Sequence, residues 1–102
     1  MADKSKARLM EFMTIKDVEE GLKKTQTVIL PVGCVEQHGW HLPLSTDMYN
    51  AIELAKAVSE ITGCFVAPLM PYSYSGGALP GTINIAPATI SAVINDICRS
   101  LA

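Results

Sequence analysis

Two short, uninterrupted apolar runs constrain the fold of this chain more than any other feature. They occupy residues 27–32 (TVILPV) and 64–69 (CFVAPL). Runs that are apolar or β-branched throughout, without a polar residue at every second position, are typical of strands covered on both faces, as in parallel sheets. The two runs therefore predict two buried, parallel strands.

A helical pattern precedes the first run. Thr14 and Asp17 are typical of a helix start, because a threonine caps the free amides and a carboxylate in the first turn is favoured by the helix dipole. The helix is predicted to end near Lys24. Its apolar face, predicted to point toward a core, carries Ile15, Val18 and Leu22.

Two further helices follow the first strand. One is predicted to begin at Thr46-Asp47 and to end at Gly63, where a left-handed cap is expected. The other begins at Ala88, after a stretch at 82–85 that is either a brief strand or an extended edge. Helices alternating with strands predict an α/β fold with a mostly parallel sheet flanked by helices.

The length of 102 residues suits one small domain. Residues 1–12 are predicted to be a loose lead-in, and residues 13–102 to form part of a single α/β domain. The sequence is 49% hydrophobic and 18% charged, which is typical of a globular protein rather than a disordered one.

Charge and cysteine content exclude several functions. The net charge is −2, and lysines and arginines form no stripe with aromatics, so nucleic acid is not an expected partner. The polar N-terminus leads into no long apolar run, so neither a secretory signal nor a membrane helix is predicted. Three widely spaced cysteines without a CxxC pair favour reduced thiols in a soluble, cytoplasmic protein.

The loop after the first strand carries the residues best suited to chemistry. Glu36 and His38 are two positions apart in a segment predicted to be extended, so their side chains are expected to share a face. Asp47 is predicted to open the next helix. A turn at Gly39 and a bend at Pro43 would let the three meet. Two carboxylates and one imidazole suit zinc or manganese, and open positions would leave room for an activated water.

The spacing alone leaves structural alternatives open. In the structural alternative, Asp47 does no more than cap its helix and Glu36 is solvated. His38 and His41 then do no more than form hydrogen bonds with the backbone of the loop. Cys34, next to the loop, is predicted to be a buried, inert thiol rather than a nucleophile.

A second loop, between the second strand and the third helix, holds candidate substrate contacts. Tyr74 and Ser75, after Tyr72, could line a pocket and donate hydrogen bonds, or they could be turn and packing residues. The adjacent Gly76-Gly77 lacks the pattern of a phosphate-binding loop. Trp40, in the first loop, could cover the site or mark a subunit contact.

Residues 30–47, which read LPVGCVEQHGWHLPLSTD, resemble the opening motif of the creatininase (creatinine amidohydrolase) family. That motif is a strand ending in PVG, then EQHGxHLPL and a TD pair that begins a helix. The later Pro80-Gly81-Thr82 matches the family's PGT turn, and the resemblance covers roughly residues 26–102.

The resemblance implies a metal-dependent hydrolase of non-peptide carbon–nitrogen bonds, in cyclic amides and formamides, although some members act on peptides. It implies an α/β fold, a centre of two zinc or manganese ions, and frequent assembly as hexamers. By this resemblance Glu36, His38 and Asp47 are metal ligands, and Asp47 bridges the two ions. No residue is assigned as catalytic.

Three departures from the family pattern matter. The family's remaining ligands lie in a later NGHGGN-like segment, which this sequence does not contain. The loop before PGT lacks a histidine that members usually have, and Trp40 replaces the usual proline between the loop histidines. We therefore expect part of an amidohydrolase site, completed by a second chain or a neighbouring subunit. The alternative is a truncated, inactive member that serves as a binding or assembly module.

Overall fold

The computed structural model describes residues 6–102, which divide into two compact units. The first unit comprises the chain up to Pro31 together with Ala51–Leu69, and the second comprises Val32–Asn50 and Met70–Ala102. Residues 1–5 of the predicted lead-in lie outside the described residues. The assignment of residues 13–102 to one domain stays a prediction.

A three-stranded parallel sheet lies in the first unit. Its strands are β1 (Arg8–Leu9), β2 (Val28–Ile29) and β3 (Phe65–Val66), in the order β1-β3-β2. Arg8 and Val28 both pair with Phe65, and Leu9 and Ile29 both pair with Val66. The parallel sheet and the three helices confirm the predicted α/β class.

Burial differs between the central and outer strands of this sheet. Phe65 is 4% exposed and Val66 is 1% exposed, whereas β2 is only half-buried. The expectation of a strand covered on both faces is therefore right for β3 and wrong for β2, because β2 lies at an edge. Arg8–Leu9 falls within the predicted loose lead-in, yet it forms β1 and is followed by a short 3-10 helix at Met10–Phe12.

Helix α1 (Ile15–Leu22) begins at a reciprocal cap. The Asp17 amide donates to Thr14 Oγ1 at 3.2 Å, so Thr14 caps the helix as predicted. The Thr14 amide also donates to Asp17 Oδ2 at 3.0 Å, a reciprocal bond that was not predicted. The predicted apolar core face is wrong, because Ile15 is 81% exposed and Leu22 is 45% exposed. The helix instead packs through buried Gly21, where a Cβ would lie 2.5 Å from the Phe65 ring.

Helix α2 (Thr46–Thr62) has the predicted limits. Gly63 follows it with a φ of +79°, a conformation that glycine adopts without strain. In the last turn, Ser59 is 1% exposed and links helix α2 to β1 and to the residue before β3. Its hydroxyl donates to the Cys64 carbonyl at 2.6 Å and accepts from the Arg8 amide at 2.8 Å.

The second unit contains helix α3 (Pro87–Leu101) and, among its described residues, four isolated strand-like pairings, two of which lie within the polar loop. Proline in the first turn suits a helix start, where the missing amide would have no partner. Val32 pairs with Met70 in parallel, and Val35 pairs with Ile83 in antiparallel orientation. The predicted extended segment at 82–85 is thus a single bridge. Among the helices of residues 6–102, none is long and apolar enough to cross a membrane.

Candidate metal centre

Gly33 brings the end of the first apolar run against the start of helix α2. A Cβ at Gly33 would lie 2.7 Å from Met48 Cα, which is closer than real Cβ contacts allow. The Gly33 amide donates to the Met70 carbonyl at 2.9 Å, and its carbonyl accepts from the Ser73 hydroxyl at 2.6 Å. The backbone before the loop is therefore held on both sides, beside the residue that follows Asp47.

The polar loop folds back on itself, as predicted from Gly39 and Pro43. The Glu36 amide donates to the Leu44 carbonyl at 3.0 Å, and His38 forms an antiparallel bridge with Leu42. Gly39 turns the chain with a φ of +73°. This closure places the Glu36 and His38 side chains near the first turn of α2.

Asp47 lies at the centre of the cluster that results. Its Oδ1 is 3.5 Å from His38 Nε2. Ligand atoms of Asp47, Glu36 and Cys34 all lie within 4.8 Å of one another. The structure therefore brings each of the other predicted ligands close to Asp47, and it adds a sulfur that the sequence did not assign to the site.

The hydrogen bond of His38 determines which ring nitrogen is available. Nδ1 lies 2.8 Å from the Glu36 carbonyl oxygen, which can only accept, so Nδ1 carries the proton. In the neutral ring, Nε2 then directs a lone pair toward the Asp47 carboxylate. The negative carboxylate at this distance favours a proton or a cation on Nε2.

In the metal-free protein the surroundings of His38 favour the protonated ring. The pKa of His38 is raised from its ordinary 6.5, chiefly by the hydrogen bond to the Glu36 carbonyl. The negative charges of Asp47 and Glu36 raise the pKa further, while partial desolvation opposes them.

Cys34 is a buried thiol in contact with the cluster. It is 9% exposed, and its Sγ donates to Asp47 Oδ2 at 3.1 Å. Burial, and then the interaction with Asp47, raise the pKa of Cys34 to about 11. A neutral thiol is a poor nucleophile, which agrees with the prediction of an inert cysteine.

The predicted substrate residues have different surroundings. Tyr74 is 55% exposed. The Ser75 hydroxyl accepts from the Gly77 amide at 3.2 Å and lies 3.3 Å from Asn84 Oδ1. A Cβ at Gly77 would be 3.6 Å from Glu36 Oε2, so this loop passes directly beside the cluster.

Asn84 organises that loop, although it was not among the predicted site residues. Its Oδ1 accepts from the amides of Ser75 and Gly76 at 3.0 and 3.2 Å, and its Nδ2 donates to the Gly77 carbonyl at 2.8 Å. The one available signal was an asparagine just after the PGT turn, a residue type that often satisfies turn backbone.

Trp40 is 105% exposed, so its ring has no protein cover within the described residues. It lines a cavity of about 320 Å³ together with Gln37, Gly39, Leu79 and Pro80. The cavity adjoins the two neighbours of His38 along the chain. The two predicted roles of Trp40, as a cover for the site or as a subunit contact, both stay predictions.

Comparison with known proteins places this arrangement in a family. The sequence model of the creatininase family (creatinine amidohydrolase) matches residues 11–102. A creatinine amidohydrolase of Pseudomonas putida is 35% identical over 106 aligned residues, which cover 96% of this chain and 41% of that protein. A mycofactocin precursor peptide peptidase of Mycolicibacterium smegmatis is 40% identical over 81 aligned residues, covering 72% of this chain and 33% of the peptidase.

Solved structures show the same relationship. A manganese form of creatininase matches with a TM-score of 0.87 and 30% identity, over 94% of this chain and 40% of that one. A variant creatininase described as Zn-Zn type matches with a TM-score of 0.86 and 33% identity, over 95% of this chain and 41% of that one. This chain spans about two fifths of the length of these creatininases, and over that length it belongs to the creatininase family.

Proposed function

We propose that this chain supplies Glu36, His38 and Asp47 to the divalent-metal site of an amidohydrolase. The proposed substrate is a small molecule with a non-peptide carbon–nitrogen bond, in a cyclic amide or a formamide. The observation that carries the proposal is His38 Nε2 facing Asp47 Oδ1 at 3.5 Å while Nδ1 is committed to the Glu36 carbonyl.

The donor set fits a divalent cation. An imidazole nitrogen and two carboxylates form a mixed hard and borderline set, which suits zinc and manganese. Solved creatininases described as manganese and Zn-Zn forms support this choice of metals. A second ion, bridged by Asp47, and a hexameric assembly belong to the proposal through the family resemblance alone.

Each residue has a separate task in the proposed reaction. A bound ion would lower the pKa of a water ligand and polarise the substrate carbonyl. Asp47 and Glu36 would offset the positive charge, and the Glu36 carbonyl would hold the His38 ring with Nε2 directed inward. Tyr74 and Ser75 are proposed substrate contacts, because their loop passes beside Glu36.

Metal binding tests the proposal directly and requires only residues within this chain. We expect wild-type protein dialysed against zinc or manganese to retain bound metal by elemental analysis. Asp47→Asn and His38→Ala should lose it. Glu53→Gln is the matched control, because Glu53 is an exposed carboxylate on the same helix that pairs with Lys56 at 3.7 Å.

A stability measurement adds an independent readout. Metal at about 100 times its dissociation constant should stabilise the wild type by ~2.7 kcal/mol, and a chelator should reverse the effect. Equal metal content in wild type and Asp47→Asn would overturn the ligand assignment. Activity is then tested, with added zinc or manganese, by formation of the ring-opened product from cyclic amides and of formate from formamides. Turnover under these conditions would reject the binding-module alternative.

A further inference from the structure

The two carboxylate oxygens of Asp47 face different partners. Oδ1 lies 3.5 Å from His38 Nε2, whereas Oδ2 accepts a hydrogen bond from Cys34 Sγ at 3.1 Å. A carboxylate that accepts on one oxygen only can rotate about its side-chain torsions. The thiol bond restrains that rotation with Oδ1 on the side of the imidazole.

Cys34 is itself held in place by its surroundings. It is 9% exposed, and the residue before it, Gly33, is hydrogen-bonded to Met70 and Ser73 on both of its backbone groups. The close approach of Gly33 to Met48 fixes the distance between this segment and the first turn of α2. The sulfur is therefore a fixed donor rather than one that must be ordered when metal binds.

We propose that Cys34 is a positioning residue, whose thiol fixes the Asp47 carboxylate in the orientation that the metal requires. The inference rests on the proposed metal site and adds a residue to it. Hydrogen-bonded partners of ligating carboxylates commonly change metal affinity by about 10–100-fold when they are removed. The thiol is a weak donor, but it is the partner that the structure gives to Oδ2.

Three variants test this role. Cys34→Ala removes the donor and should weaken zinc binding by about 10–100-fold in a competition titration with a chromophoric chelator. Cys34→Ser keeps a hydroxyl donor and should restore most of the affinity. Cys64→Ala is the matched control, because Cys64 is also buried, at 3% exposed, and lies in the other compact unit. The zinc affinity of Cys64→Ala should equal that of the wild type.

A cobalt spectrum separates positioning from ligation. If Cys34 were itself a ligand, cobalt-loaded wild type would show an intense thiolate-to-cobalt charge-transfer band that Cys34→Ser lacks. We expect no such band. Its presence would overturn the positioning role, as would zinc affinity in Cys34→Ala equal to that of the wild type. Should Cys34→Ala fail to fold, Cys34→Val removes the donor at similar volume and carries the same expectation.

The metal site and the role of Cys34 can be rejected separately. If wild type binds zinc and Asp47→Asn does not, the metal site stands, and only an unchanged Cys34→Ala or a thiolate band would reject the role of Cys34. If wild type binds neither zinc nor manganese, the metal site and the role of Cys34 are both rejected.

Discussion

His38 Nε2 and Asp47 Oδ1 lie 3.5 Å apart, with the opposite ring nitrogen of His38 bound to the Glu36 carbonyl. In metal-free protein, NMR titration of His38 should therefore give a pKa above 6.5. Asp47→Asn removes one of the charges that raise this pKa and should lower it. An identical His38 pKa in both proteins would contradict the contact.

The same shift has a defined effect on stability. Because the folded-state pKa of His38 is raised, its protonation stabilises the fold fully below pH 6.5, and this contribution is lost as the pH rises through the folded value. Denaturant unfolding of metal-free wild type and His38→Gln should show this difference. The gap between the two proteins should narrow as the pH rises.

The capping box predicts a second pH dependence, of the opposite sign. The pKa of Asp17 is lowered from 3.8, first by the Thr14 amide and then by its hydroxyl. Its stabilisation is therefore present above pH 3.8 and lost as the pH falls through the folded value. Asp17→Asn should be less stable than wild type at neutral pH, and the two should converge in acid.

The close packing of Gly33 against Met48 is expected to affect both stability and metal affinity. Gly33→Ala would place a Cβ 2.7 Å from Met48 Cα, so we expect a loss of about 1–3 kcal/mol in unfolding free energy and weaker zinc binding. Gly63→Ala is the control. It meets no atom within 4 Å but has a φ of +79°, and should cost about 1–2 kcal/mol with zinc affinity unchanged.

The hydrogen bonds of Asn84 are expected to hold the loop at residues 75–77. Asn84→Leu removes the acceptor for two amides and the donor to Gly77, so residues 75–77 should exchange amide hydrogens faster and the fold should lose about 1–2 kcal/mol. Asn84→Asp keeps the acceptor and should protect the Ser75 and Gly76 amides. Equal exchange in both variants would reject this role.

Trp40 offers a direct test of exposure. It is the single tryptophan of the chain and is 105% exposed. Its fluorescence should peak near that of free tryptophan and be quenched by iodide to a similar extent. A blue-shifted, protected emission would show that another copy or another segment covers the ring.

Local signals in the sequence predicted the helices well and the packing less well. The cap at Thr14 and the limits of α2 follow from hydrogen bonds and dihedral angles within a few residues. Strand β1 could not be found this way, because two residues in a polar segment become a strand only by pairing with β3. The exposure of Ile15 likewise depends on which residues surround helix α1. The apolar periodicity of the helix carries no information about those neighbours.

The candidate site shows the same division. The predicted ligands Glu36, His38 and Asp47 were selected because their side chains bind metals, and the structure brings the other two close to Asp47. Cys34 is hydrogen-bonded to a residue that lies 13 positions away, and Asn84 to residues that lie 7–9 positions away. Residue type alone could not reveal these contacts. Whether the three ligands hold a metal stays a prediction.

The order β1-β3-β2 has a consequence for biosynthesis. Both outer strands pair with β3, which follows them by more than thirty residues. A nascent polypeptide leaving the ribosome therefore carries two partnerless strand segments until Phe65 and Val66 emerge. Because non-local pairing must await that moment, chaperone protection, or rapid translation of residues 30–64, would favour correct assembly.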